Sequence, residues 1–120
     1  MADIHSLGKY GESLAHSFLT DKGYRILQKN WKTGKKEIDI IAEDDEFIIF
    51  IEVKTRTADF QLHPRDAVSV PKQRNIIFAA QTYMERTMPE KEARFDIITI
   101  IIDGKNREIE HIKDAFYPTL

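Results

Sequence analysis

Residues 37 to 56 read EIDIIAEDDEFIIFIEVKTR, two strand-forming runs joined by Glu43-Asp44-Asp45-Glu46. Ile, Val and Phe at this density favour extended backbone, and a short polar break between two such runs favours a hairpin. Side chains alternate across a strand, so Glu37, Asp39 and Ile41 share one face while Ile38, Ile40 and Ala42 share the other. A short loop through Asp44-Asp45 sets Asp39 against Phe50 and Glu37 against Glu52. One face is then wholly apolar, with Ile38, Ile40, Ala42, Phe47, Ile49, Ile51 and Val53. The other is apolar near the turn and carries Glu37, Asp39, Glu52 and Lys54 at its open end.

That open end is electrostatically costly. Two carboxylates about 5 Å apart repel by about 3 kcal/mol at an effective dielectric near 20, and like charges opposed in a sheet are unfavourable. Lys54 offsets one acid, which leaves an excess of negative charge. A hard divalent cation with oxygen ligands, such as Mg²⁺, removes that excess; a shared proton, raising one pKa, is the other escape. Rim charges paired in water remain the plain alternative. Phe50 and Ile41 lie immediately inward on the same face, so the acids sit at a core boundary, which favours a site.

The flanking chain supplies a cover for this hairpin. Leu7, Tyr10, Gly11, Leu14, Ala15, Phe18 and Leu19 recur at helical spacing over residues 6 to 22, and Gly23 closes that helix. Residues 24 to 30 read as a short strand and 32 to 36 as a turn; the main strands span 37–42 and 47–54. Residues 57 to 70 look irregular, with Pro64 inside them. Pro71 opens a second helix to about Thr87, with Ile76, Ile77, Ala80, Tyr83 and Met84 inward. The apolar strand from Arg94 to Ile102 is expected to be central and covered on both faces. Asp103 to Asn106 turns it into a last strand near 107–112. The order α-β-β-β-α-β-β describes a mixed α/β sheet of about five strands flanked by helices, in a single domain over residues 1–120.

Bulk properties narrow the function. The 120 residues include no cysteine, which excludes disulfides and thiolate-bound metals and suits a reducing cytosol. The chain starts without a basic patch and greasy segment, and its longest apolar run, Ile97 to Ile102, is too short to span a membrane. A cytoplasmic protein without membrane contact is expected. Net charge of −2 argues mildly against coating nucleic acid, but charge is unevenly placed. Lys29, Lys32, Lys35 and Lys36 precede the acidic stretch, and positive charge returns from Lys54 to Arg74. An acidic pocket rimmed by basic ground fits this pattern. His5, His16, His63 and His111 show no metal-ligand spacing, and phosphate-loop, dinucleotide and serine-hydrolase motifs are absent.

An acid on one strand followed by Glu-x-Lys on the next, here Asp39 and Glu52-Val53-Lys54, resembles the PD-(D/E)xK nuclease superfamily. The longer runs GESLAHSFLTDKGYRILQKNW, EIDIIA, FIEVKTR, AVSVPKQRNIIFAAQTYM and RFDIITI together resemble the YraN family of bacterial proteins, similar in turn to archaeal Holliday-junction resolvases. Nearly the whole chain is covered. Ile38 stands at the proline of the motif, and Lys36 precedes Glu37 where the family commonly has glycine. The resemblance implies a restriction-endonuclease-like fold and a Mg²⁺- or Mn²⁺-dependent endonuclease acting on DNA, including branched or damaged forms. It implies Asp39, Glu52 and the Val53 carbonyl as metal ligands, and Lys54 orienting or activating water. Glu12, at the edge of the first helix's apolar stripe, is either the glutamate that completes the family's site or a solvated helix residue. Glu37 is similarly either an outer metal ligand or a surface acid.

Arg56, Lys72 and Arg74, with Lys35 and Lys36 behind them and Gln73 beside them, are the candidate nucleic-acid contacts. Lys72 and Arg74 fall in the first turn of a helix, where free N–H groups bind phosphate; pairing with acids such as Asp66 is the alternative. Cutting both strands symmetrically calls for two sites and hence a homodimer. Two further functions fit the residues: a nucleic-acid-binding module that does not cleave, and a hydrolase of smaller phosphorylated substrates.

Overall fold

A computed structural model describes residues 4–58 and 68–118, with the side chains of Ile4 and His5 left aside. Helix α1 (Ile4–Asp21) leads into strands β1 (Arg25–Thr33), β2 (Lys36–Glu43) and β3 (Phe47–Thr57). Helix α2 (Val70–Thr87) crosses over to β4 (Glu92–Asp103), and β5 (Asn106–Phe116) completes the sheet. The five strands lie in sequence order, antiparallel except for the parallel β3–β4 pair that the α2 crossover requires. The mixed α/β sheet flanked by two helices follows from the periodicities. Pro64, His63 and Asp66 lie outside the described residues.

Each sheet face carries its own core. On the α1 side, Ala15 and Leu19 pack on Ile40, Ala42, Ile49, Ile51, Val53, Ile98 and Ile100. On the α2 side, Ile76, Ala79, Ala80 and Tyr83 pack on Ile38, Ile41, Phe50, Phe95 and Ile97. β3 and β4 are therefore covered on both faces, and each fully buried Ile or Phe contributes about 1.5–3 kcal/mol. Ser69 caps α2 by accepting from the Lys72 amide at 3.3 Å, with Pro71 in the first turn.

Four expectations change in detail. β1 runs on to Thr33, and the turn narrows to Gly34 and Lys35, with Gly34 at φ 60°. The β2–β3 register is shifted: Ile41, not Asp39, faces Phe50, and Glu37 faces Lys32 of β1 rather than Glu52. The Asp44 side chain explains the shift, since it accepts the Glu46 and Phe47 amides at 2.8 Å each and draws the turn beyond Asp44-Asp45. The move spans an even number of residues, so faces are kept. Ile38 is the exception to the apolar face expected for it, lying in the α2-side core while Ile40 lies in the α1-side core. Finally, β5 extends to Phe116, which stacks on Phe95 at 5.3 Å.

The extension of β5 serves a buried charge. Asp96 is fully buried on β4 and accepts from Arg94 Nε (2.9 Å) and Nη2 (2.8 Å) and from the Asp114 amide (2.9 Å). His111 Nε2 lies 2.7 Å from the same carboxylate. Burial works to raise the Asp96 pKa, but His111, Arg94 and the Asp114 amide outweigh it and hold the carboxyl below its ordinary range. Asp114 takes φ 53° to present its amide. His111 is thus structural.

Two substitutions test this frame. A methyl group at Gly11 would collide with the Thr55 side chain on β3, so helix and sheet meet there through glycine. Gly11→Ala is expected to cost about 1–3 kcal/mol in urea unfolding, with part of the loss recovered in Gly11→Ala/Thr55→Ala. Asp96→Ala leaves the half-buried Arg94 and His111 without their carboxylate and should cost about 3–5 kcal/mol, measured by the same unfolding curve.

Candidate active site at the parting of two strands

β2 and β3 pair from Glu43↔Ile48 to Ile40↔Ile51 and then separate. On the other side of β2, Lys29 pairs with Ile40 and Trp31 with Ile38, which leaves Asn30 opposite Asp39 with a left-handed φ of 50°. Asparagine tolerates that conformation better than most residues. The kink breaks the alternation between Ile38 and Ile40. It also frees the Val53 amide of β3 from a β2 backbone partner. Asp39 Oδ2 accepts that amide at 2.9 Å, replacing the missing ladder bond.

The gap opens as a hollow of about 400 Å³ lined by Lys9, Glu12, Asn30, Glu37, Asp39, Glu52, Val53, Lys54 and Arg56, among others. Every residue expected as catalytic or metal-ligating lies on this one wall. Glu12, Glu37 and Asp39 each bring a carboxylate oxygen within 4.8 Å of the others, a set that could hold a metal ion. The Asn30 amide nitrogen, in the orientation its neighbours require, donates to Glu12 Oε1 at 3.1 Å and Glu37 Oε1 at 3.0 Å. Glu37 also lies 3.8 Å from the exposed Lys32 ammonium.

Glu52 stands on the other side of Asp39 and is only 3% exposed. Its Oε1 lies 3.7 Å from both Lys54 Nζ and Lys72 Nζ. Its Oε2 is buried and has no hydrogen-bond partner among the described residues. Burial, then the charge of Asp39, pushes the Glu52 pKa up to about 8 against the pull of Lys72 and Lys54. Burial, then Asp39 and Glu37, raises Glu12 to about 7, with Lys9 pulling back. Asp39 contributes to both shifts, so it sits between two carboxyls that retain protons near neutral pH.

The expected nucleic-acid contacts are dispersed. Arg56 lines the hollow and donates to the Thr55 carbonyl at 3.0 Å. Lys72 reaches to within 3.7 Å of Glu52 while its side chain stays partly in solvent. The Gln73 side chain donates to the Val68 carbonyl at 3.1 Å and so fastens the entry to α2 rather than facing the gap. Arg74 is exposed on the first turns of α2. Lys36 is not part of the hollow; its ammonium lies 4.6 Å over the exposed Phe78 ring. Lys35 occupies the β1–β2 turn. Sequence reasoning missed Asn30 and Lys9, and the only signal for Asn30 was an asparagine near a presumed strand end.

The proton ledger has a measurable consequence. Between the ordinary carboxylate range and pH 7–8, the folded chain holds protons on Glu12 and Glu52 that the unfolded chain has released. Stability without added metal should therefore fall as pH rises through this window and level off above it. Thermal melts from pH 5 to 8.5 in EDTA should show the fall, and Glu52→Gln should flatten it. A wild-type melting temperature that rises across the same window contradicts the assignment.

Comparisons with known proteins agree on one grouping. Residues 11–100 match the uncharacterised protein family UPF0102. A UPF0102 protein of Bacteroides thetaiotaomicron is 42% identical over 120 residues, covering 100% of this chain and 99% of its own length. One from Phocaeicola vulgatus is 44% identical with the same coverage. A third, from Chlorobium phaeobacteroides, is 48% identical over 93% of this chain and 94% of its own. With the match running from α1 through β4, the chain belongs to the UPF0102 family.

Proposed function

We propose that this chain is a metal-dependent endonuclease that hydrolyses phosphodiester bonds in DNA, with the PD-(D/E)xK arrangement supplied by Asp39 and Glu52-Val53-Lys54. The observation that carries this reading is Glu52 Oε2, a buried carboxylate oxygen without a hydrogen-bond partner among the described residues, on the wall of a hollow already crowded with Glu12, Glu37 and Asp39. A buried unpaired oxygen is costly unless a proton or a cation meets it. The donor set is all oxygen, which suits Mg²⁺ or Mn²⁺. Asp39, Glu52 and the Val53 carbonyl would hold such an ion, with Glu37 and Glu12 near it. When bound, it would polarise a phosphate oxygen and lower the pKa of water.

The remaining work falls to the chain itself. Lys54, tethered to Glu52, places a cation where negative charge grows on the phosphate. Arg56 adds a second cation on the same wall. Lys72 reaches from α2 to hold Glu52 in place. The protons on Glu12 and Glu52 must leave before the carboxylates can serve as ligands, so metal affinity should rise with pH from 6 to 8. A homodimer would supply the second site needed to cut both strands.

A second reading has its own support: two lysines and two protons already balance much of the acid charge. On that basis the fold would bind nucleic acid without cleaving it. Incubation with Mn²⁺ and single-stranded, duplex or four-way-junction DNA separates the two. Cleavage is expected, and Asp39→Ala or Lys54→Ala should lower it by a factor of about 10² or more while melting stays cooperative. Millimolar Mn²⁺ should raise the wild-type melting temperature. Salt-dependent binding with neither cleavage nor a melting shift would replace the nuclease by the binding module.

A further inference from the structure

A second hollow, of about 430 Å³, adjoins the first and shares Lys9, Glu12, Asn30 and Asp39 with it. Its other walls are Ser13, His16 and Ser17 of α1 and Lys29 and Ile40 of the sheet. The positions 9, 12, 13, 16 and 17 recur at three and four residues, so they form one flank of the helix. Glu12 and His16 on that flank are half-buried and Lys9, Ser13 and Ser17 are exposed, so it forms one side of an open cleft whose other side is β1. Ser13, His16, Ser17 and Lys29 make no side-chain hydrogen bond or ion pair among the described residues. Two hydroxyls, an imidazole and an ammonium thus line one open space without a bond to another described side chain, and Lys9 lines both hollows.

We propose that this second hollow is a subsite for the nucleotide next to the one being cut, gripping its phosphate and sugar through Lys9, Lys29, Ser13, His16 and Ser17. The inference rests on the nuclease reading above and adds a path for the strand. The strand passes Arg56 and Lys54, crosses the acids at Asp39, and continues between α1 and β1. Electrostatics favours that path. A phosphate beside Glu12, Glu37 and Asp39 is repelled, and cations at Lys9 and Lys29 offset the repulsion on the far side. The scale also fits: Ser13 and Ser17 lie about 6 Å apart along the helix axis, close to one nucleotide step in an extended strand. The volume suits one nucleotide at a time. A hollow of one-nucleotide size between a helix and a strand favours a single strand, an end or an unpaired nucleotide at this position.

The test uses the full chain with Ca²⁺ as the divalent ion, a fluorescein-labelled oligothymidylate, a duplex of equal length, and a salt series read by anisotropy. Lys29→Ala should weaken single-strand binding three- to tenfold and reduce the salt slope by about 0.7. Ser17→Ala/His16→Ala should weaken it without changing that slope. Cleavage with Mn²⁺ should show a raised KM and an unchanged kcat in these variants. All three substituted side chains lie outside the cores, so melting temperatures should match the wild type. Unchanged binding and KM in variants of a protein that binds and cuts would overturn the subsite and leave the nuclease standing. Equal losses on duplex and single strand would overturn the single-strand assignment. A wild type that binds neither DNA would remove both the subsite and the nucleic-acid reading.

Discussion

The hydrogen bond from the Val53 amide to Asp39 Oδ2 is where fold and site become the same thing. A β-ladder normally consumes every backbone amide on a shared edge. Here β2 bends away at Asp39, and a side chain takes over the task of the lost strand partner. The carboxylate is thereby held to the strand that carries Glu52 and Lys54. The gap between the strands becomes a hollow because the sheet stays covered by α1 on one side and α2 on the other. A straight β2 would close the gap and turn the Asp39 side chain into a rim charge.

Each helix then adds one polar group through one close contact. Gly11 lets α1 approach Thr55 closely, which sets Glu12 beside Asp39. The start of α2 carries Lys72 to Glu52 from the opposite face. The cations and acids consequently arrive from α1, α2, β2 and β3. Two of these elements are themselves fixed by continuous apolar packing, so their carboxylates cannot relax apart to relieve repulsion. Proton uptake near neutral pH is the response of a rigid set of acids, and the orphaned Glu52 oxygen is its residue.

Much of this arrangement was legible in the sequence. The alternation in residues 37–42 and 47–54 identified the two strands, and Glu-x-Lys on the second placed Glu52 and Lys54 together. Helical spacing identified α1 and α2, and the apolar run at Arg94 to Ile102 identified the central strand. The register was not legible, because the Asp44 side chain bonds that set the turn are local geometry and not pattern. The kink at Asn30 and Asp39 was hidden for the same reason: periodicity assumes an unbroken strand. Residues 113 to 116 lacked a strand signature. Their order comes from the Asp96 carboxylate, a buried charge that recruits the Asp114 amide from a distant part of the chain.

The turn end of the hairpin shows what an acid cluster looks like when it is structural. Glu43 lies 3.0 Å from both Arg25 and Lys91, Lys91 also donates to the Asp44 carbonyl at 2.8 Å, and Arg94 lies 3.8 Å from Asp44. Those bonds hold the Glu43 carboxyl below its ordinary range, and Asp44 is held low despite its burial by the Phe47 and Glu46 amides. At the open end of the same hairpin the shifts run the other way. Both ends are rich in carboxylates. At the turn end Arg25 and Lys91 reach Glu43 at 3.0 Å, whereas at the open end Lys32, Lys54 and Lys72 stand 3.7–3.8 Å from their carboxylates, and that end is the one with the two adjoining hollows. Close contact with cations and amides at one end, and burial among other carboxyls at the other, give the two ends of one hairpin opposite pKa directions.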